Sequence, residues 1–180
     1  MNSSRKITIA LDAHGTDHDT KVIVDGAITA IENLDVQVVL VGEKSEIERH
    51  LKDSHWPDGL LHEQASQVIE MHEEPAAAVR KKVDSSIVVG TRIVKEGKAD
   101  AMVGAGNTGA MMAAGLLVLG RIPGVNRPGI AVELPAPGSG HGSASRQILM
   151  DAGATVDCEP EWLAQFALMA RAYVQHRLEI

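Results

Sequence analysis

Apolar residues in this chain fall into two alternating kinds of run. Ile7–Leu11 and Val36–Val41 are short, continuous and rich in β-branched side chains, the pattern of strands buried on both faces. Between them Val22, Ile23, Gly26, Ala27, Ala30 and Ile31 recur at helical spacing, which predicts an amphipathic helix. Ser45-x-x-Glu48 has the form of a capping box and predicts a short helix after Gly42. His62–Ile69 is a weaker strand signal. Glu74–Arg80 and Ser85–Lys95 are expected to be helical, with Gly97 as a stop. Ala99–Val103 is then a strand, Thr108–Leu119 a helix, and Ile130–Leu134 and Ile148–Met150 are strands. Pro160 opens a last helix running to about Leu178. Strands alternating with helices predict one α/β domain over residues 1–180 with a parallel sheet covered on both faces. PAPGSGHGSAS, residues 135–145, has the composition of a flexible loop.

Charge and composition narrow the function. The chain has 180 residues, with 17 Lys+Arg against 24 Asp+Glu, a net charge of −7. Its aromatic residues are Trp56, Trp162, Phe166 and Tyr173. Single-stranded nucleic-acid binding needs stacking platforms in a basic groove, and duplex binding needs a basic footprint. Neither pattern is present, so no nucleic-acid partner is expected. Cys158 is the one cysteine, which excludes an intrachain disulfide and a cysteine-based zinc site. The N-terminal apolar run is too short for a signal-peptide core, and Ala110–Gly120 is shorter than the roughly 20 residues of a spanning helix. A cytoplasmic location is the expectation.

Ligands of parallel α/β sheets bind beyond the strand C-termini, which directs attention to three segments. DAHGTDH, residues 12–18, follows the first strand and gathers Asp12, His14, Asp17 and His18 around Gly15. A metal site, an Asx-type turn capping the next helix and a substrate-contacting loop are all open at this point. GAGNTGA, residues 104–110, lies between a strand and a helix, and Gly104, Gly106 and Gly109 fit G-x-G-x-x-G. With Glu133 at the end of a following strand, this satisfies the formal dinucleotide fingerprint. More generally, small residues let the backbone approach an anion, and Asn107 and Thr108 add side-chain donors. RKKVDSS, residues 80–86, sets Arg80, Lys81 and Lys82 before a Ser85-Ser86 helix start. In an acidic chain this is either a local anion attractor or a solvated face with a cap.

Taken in order, the stretches ALDAHGTDH (10–18), LVGEKSEIE (40–48), IEMHEEPAAAVRKKVDSS (69–86), VKEGKADAMVGAGNTGAMMAA (94–114), LGRIPGVNRPGIA (119–131) and DAGATVDCEPEWLAQFALMARAY (151–173) resemble the phosphate acyltransferases of bacterial phospholipid synthesis, the PlsX family. The resemblance covers most of the chain and implies that it corresponds to the N-terminal half of such an enzyme. It implies a three-layer α/β/α sandwich with a mainly parallel sheet, related to isocitrate dehydrogenases and phosphotransacetylases. The implied reaction converts an acyl-carrier-protein thioester and inorganic phosphate into acyl-phosphate and free carrier protein, within lipid biosynthesis and without a cofactor. The implied partners are acyl-carrier protein, phosphate and a second copy in a homodimer, with peripheral membrane association through the other half.

Such a reaction requires a site that holds a phosphate dianion and stabilises an oxyanion, with phosphate itself as nucleophile. By resemblance, Lys82, Ser85 and Ser86 would help hold phosphate. Asn107, Thr108 and the Gly106–Gly109 backbone would orient phosphate or the thioester oxygen. Asp12, Asp17 and His18, around Gly15, would shape the pocket or assist proton transfer, and no metal is implied. The chain departs from the family pattern at His14 (Met), Thr16 (Gly), Gly104 (Ser) and Thr155 (Asn). Two other readings follow from the residues: a dinucleotide-binding domain using GAGNTG, and a catalytically inactive family member.

Overall fold

The computed structural model describes residues 5–16, 19–135 and 146–177. Two compact units divide the chain, residues 1–120 and 121–180. Residues 136–145 of the expected flexible loop lie outside the described residues.

In the first unit four strands form one parallel sheet in the order β3-β2-β1-β4. β1 (Ile7–Asp12) lies between β2 (Val36–Gly42) and β4 (Ala101–Val103), with Ile9 in register with both Val38 and Ala101. β3 (Leu60–Gln64) pairs with the far side of β2. The apolar run in β2 has a direct cause, since successive side chains of an interior strand enter opposite cores. Val38 and Leu40 pack with Val24, Ala27, Ile47 and Leu60. Val39 and Val41 pack on the other face with Ala10, Val89, Ile93 and Ala99. Each buried Val, Leu or Ile among these contributes about 1.5–3 kcal/mol of burial, and both faces of the sheet are thereby covered.

α1 (Thr20–Asn33) returns the chain from β1 to β2, and the Asp19 carboxylate caps it by accepting from the Lys21 N–H at 2.8 Å. α2 (Lys44–Glu48) forms where a short helix was expected, but without the capping box. Ser45 already lies inside that helix, and its hydroxyl donates to Glu43 Oε1 instead. β3 ends earlier than the apolar run suggested. After Ala65, whose N–H donates to Gly42 O at 3.2 Å, residues 66–69 leave the sheet, and Gln67 forms an isolated bridge to Ser85. α3 (Pro75–Lys81), α4 (Ser86–Lys95) and α5 (Thr108–Ala114) meet through Ala78, Val79, Ile87, Val88, Ala110 and Ala113. The helix expected over 108–119 loosens into a wider turn at Gly115–Leu119.

In the second unit β5 (Val132–Pro135) and β6 (Arg146–Leu149) pair antiparallel, apart from the main sheet. α6 (Pro160–Arg177) buries Phe166, whose ring sits against Gly129. No helix among the described residues is long and apolar enough to cross a membrane.

Candidate active site at the strand ends

All four parallel strands point their C-termini to one end of the sheet, and the buried polar side chains concentrate there. Asp12, the last residue of β1, is 1% exposed. Its Oδ1 accepts the His14 N–H at 3.0 Å, and its Oδ2 has no hydrogen-bond partner among the described residues. Burial raises the Asp12 carboxyl above its ordinary range, against the opposing pull of the Ser86 hydroxyl and the His14 N–H. A buried carboxyl oxygen without a partner costs stability, which makes Asp12 a candidate for a functional group.

The surrounding wall is made of backbone. A Cβ on Gly106 would stand 2.6 Å from Gly15 O and 3.7 Å from Asp12 Oδ2, so only glycine lets the two strand-end loops close on each other. Gly15 in turn has φ +71 and would meet Ile69 O at 2.9 Å if it carried a side chain. A Cβ on Gly109 would likewise stand 2.6 Å from Cγ of Pro75, the first residue of α3. Loops 12–16 and 104–109 and the strap 67–75 therefore share one small-residue seam.

Asn107 ties that seam together. Its Oδ1 accepts the Ala110 N–H at 2.9 Å, capping α5. Its Nδ2 donates to the carbonyls of Glu70 at 3.1 Å, Glu73 at 3.2 Å and Met71 at 3.4 Å. Every polar atom of this amide is engaged, so Asn107 acts here by holding the strap rather than by reaching into open space. Thr108, the next residue, is exposed at the start of α5.

Of the three basic residues, Arg80 and Lys81 are exposed in the last turn of α3. Lys82 turns inward, donating to Val68 O at 2.5 Å and pairing with Glu73. Ser85 is fully buried as the cap of α4, its Oγ accepting the Val88 N–H at 3.4 Å. Ser86 is buried beside Asp12. The structure thus brings Asp12, Gly15, Lys82, Ser85, Ser86, Gly106, Asn107, Thr108 and Gly109 to one end of the sheet. Asp17 and His18 lie outside the described residues.

Two participants were not foreseen in these roles. His14 is buried beneath the strand ends, with Nε2 accepting the Glu43 N–H at 2.8 Å and its ring filling the space that a side chain on Gly42 would take. That bond makes Nε2 the unprotonated nitrogen and ties the first loop to the end of β2. Glu73 is the counter-ion of Lys82, and its place in an acidic stretch gave no signal of this. Glu133 stands on β5, outside the glycine-bearing sheet, where it accepts from Tyr173 and Arg146.

The chain is 48% identical over 172 residues to the phosphate acyltransferase of Desulfitobacterium hafniense (strain Y51), covering 96% of this chain and 50% of that one. It is 46% identical over 168 residues to the phosphate acyltransferase of Bacillus subtilis (strain 168), covering 93% and 48%. The chain spans about half the length of the curated relatives it matches. Among solved structures, a phosphotransacetylase from Streptococcus pyogenes superposes with a TM-score of 0.64 at 18% identity, covering 92% of this chain and 52% of that one. At that identity the likeness speaks for the α/β fold alone. The family described as "Fatty acid synthesis protein" matches residues 7–180, and the chain belongs to it.

Proposed function

We propose that the chain is a phosphate acyltransferase that moves an acyl group from an acyl-carrier-protein thioester to inorganic phosphate. The observation carrying this reading is the glycine-closed seam at the strand ends. It packs Asp12, a buried carboxyl with one oxygen unpartnered among the described residues, against the closely approaching Gly15 and Gly106 loops, with Lys82 on the adjoining strap. The names of the relatives support the same chemistry.

In this reading hydrogen phosphate attacks the thioester carbonyl carbon. A carbon–oxygen bond forms, the carbonyl becomes an oxyanion, and the carbon–sulfur bond then breaks. The proton on phosphate ends on the departing carrier thiol, so the products are acyl-phosphate and free carrier protein. Asp12 suits the transfer of that proton, because burial brings its pKa closer to those of phosphate and thiol. Lys82 supplies charge to the phosphate, and Ser85, Ser86, Thr108 and the Gly106–Gly109 backbone surround it. Asn107 keeps the wall in place. The protein would work as a homodimer in the cytoplasm.

Incubating the chain with acyl-carrier protein and phosphate, and measuring carrier thiol and hydroxylamine-trapped acyl-phosphate, tests this. Equal, phosphate-dependent release of both is expected, with a large loss for Lys82→Ala and Asn107→Ala. Unchanged turnover in both variants would overturn the assignment.

A further inference from the structure

The cation best placed to receive phosphate already has an anion on it. Lys82 is about a quarter exposed, as is Glu73, and the two form an ion pair. The Glu73 carboxylate is further held by the Glu70 N–H at 2.8 Å. Its backbone carbonyl accepts from Asn107 at 3.2 Å, so its main chain is fixed independently of its side chain. The Lys82 ammonium and the Glu70 N–H hold the Glu73 carboxyl below its ordinary range. The carboxylate is therefore charged throughout the neutral range, and the pair presents little net positive charge to an incoming dianion.

We propose that Glu73 is an internal stand-in for the anionic substrate, occupying Lys82 in the empty site and yielding it when phosphate binds. This rests on the reading of the strand ends as a phosphate site, and it adds a residue that sets the affinity for the anion. Exchange is geometrically simple. Glu73 is partly open to solvent, so its side chain can swing away while Asn107 retains the backbone. Val68 O continues to orient the ammonium at 2.5 Å. Phosphate must then compete with a tethered carboxylate, which weakens binding and returns the site to a neutral, closed pair after each turnover.

The test is the rise in Tm with inorganic phosphate, at ionic strength held constant with chloride, for the whole chain and its variants. Glu73→Gln keeps an acceptor for the Glu70 N–H while removing the charge, and is expected to bind phosphate about fivefold more tightly, the scale of one partly exposed ion pair. Glu73→Ala must shift in the same direction, which separates charge from local packing. Adding Lys82→Met to Glu73→Gln must abolish the gain, because Glu73 acts through Lys82. Equal or weaker phosphate binding by both Glu73 variants, with phosphate binding intact in the unaltered chain, overturns the stand-in and leaves the phosphate site standing. No phosphate response in any of the proteins overturns both.

Discussion

The two ends of the parallel sheet are built from the same strands and handle polar groups in opposite ways. At the N-terminal end, Arg5 pairs with Asp100 and Lys6 with Asp35, all in exposed positions. There Asp100 also accepts the Thr8 N–H at 2.8 Å, finishing the strand edge. At the C-terminal end, Asp12, His14, Ser85, Ser86 and Asn107 are buried, and one carboxyl oxygen is left without a partner among the described residues. Water screens the first set, so its charges contribute little. Exclusion of water makes the second set expensive and specific. A fold that needed only stability would have no reason to place its costliest groups at one end. The asymmetry sets the C-terminal end of the sheet apart by its energetics, independently of any likeness to other proteins.

The largest effect is expected at the seam. Gly106→Ala places a methyl group 2.6 Å from Gly15 O, which neither backbone can avoid without moving. Turnover should fall by about a hundredfold or more, with a stability loss of about 1–3 kcal/mol from overpacking. A fully active Gly106→Ala would show that the closeness of the two loops is incidental. Next comes Asn107→Ala, which removes a helix cap and strips three carbonyls of their donor. Denaturant titration should show a loss of about 2–3 kcal/mol.

Asp12→Asn separates function from stability. Because burial raises the Asp12 pKa above its unfolded value, the folded state binds that proton more tightly. Its stabilising contribution is therefore present at low pH and is lost as pH rises through the raised value. At neutral pH the ionised form costs stability, so Asp12→Asn should raise stability while suppressing acyl transfer. The gain should shrink as pH falls toward the ordinary carboxylate range. The smallest effect belongs to the opposite end: Arg5→Ala should leave turnover unchanged and move Tm only slightly, as for any exposed pair.

Much of the fold was legible because it obeys one-dimensional periodicity. The β-branched runs at 7–11 and 36–41 became adjacent interior strands, and the 3.6-residue pattern at 22–31 became α1. What failed was local competition. Ser45 could cap only if α2 began after it, but the helix takes Lys44 as its first residue. The run His62–Ile69 lost its second half because Asp84 draws the chain aside, accepting from the Ser66 N–H at 3.0 Å and from the Ser66 hydroxyl at 2.5 Å. The site divides in the same manner. Loop glycines and the residues around them could be named from the motif, since close approach demands glycine wherever the backbone must pass. The pairing of Lys82 with Glu73, and the reach of Asn107 to three carbonyls more than thirty residues away, depend on how the strap folds back. No spacing rule encodes that.

The contrast between the two ends of the sheet can be read residue by residue by titrating the isotope-labelled chain with inorganic phosphate and following its amide resonances. Saturable shifts are expected at Gly15, Ser86, Gly106, Thr108 and Gly109, with the amides of Thr8, Asp35 and Asp100 unmoved. Shifts centred on the exposed pairs at the N-terminal end, or none at the glycine seam, would contradict it.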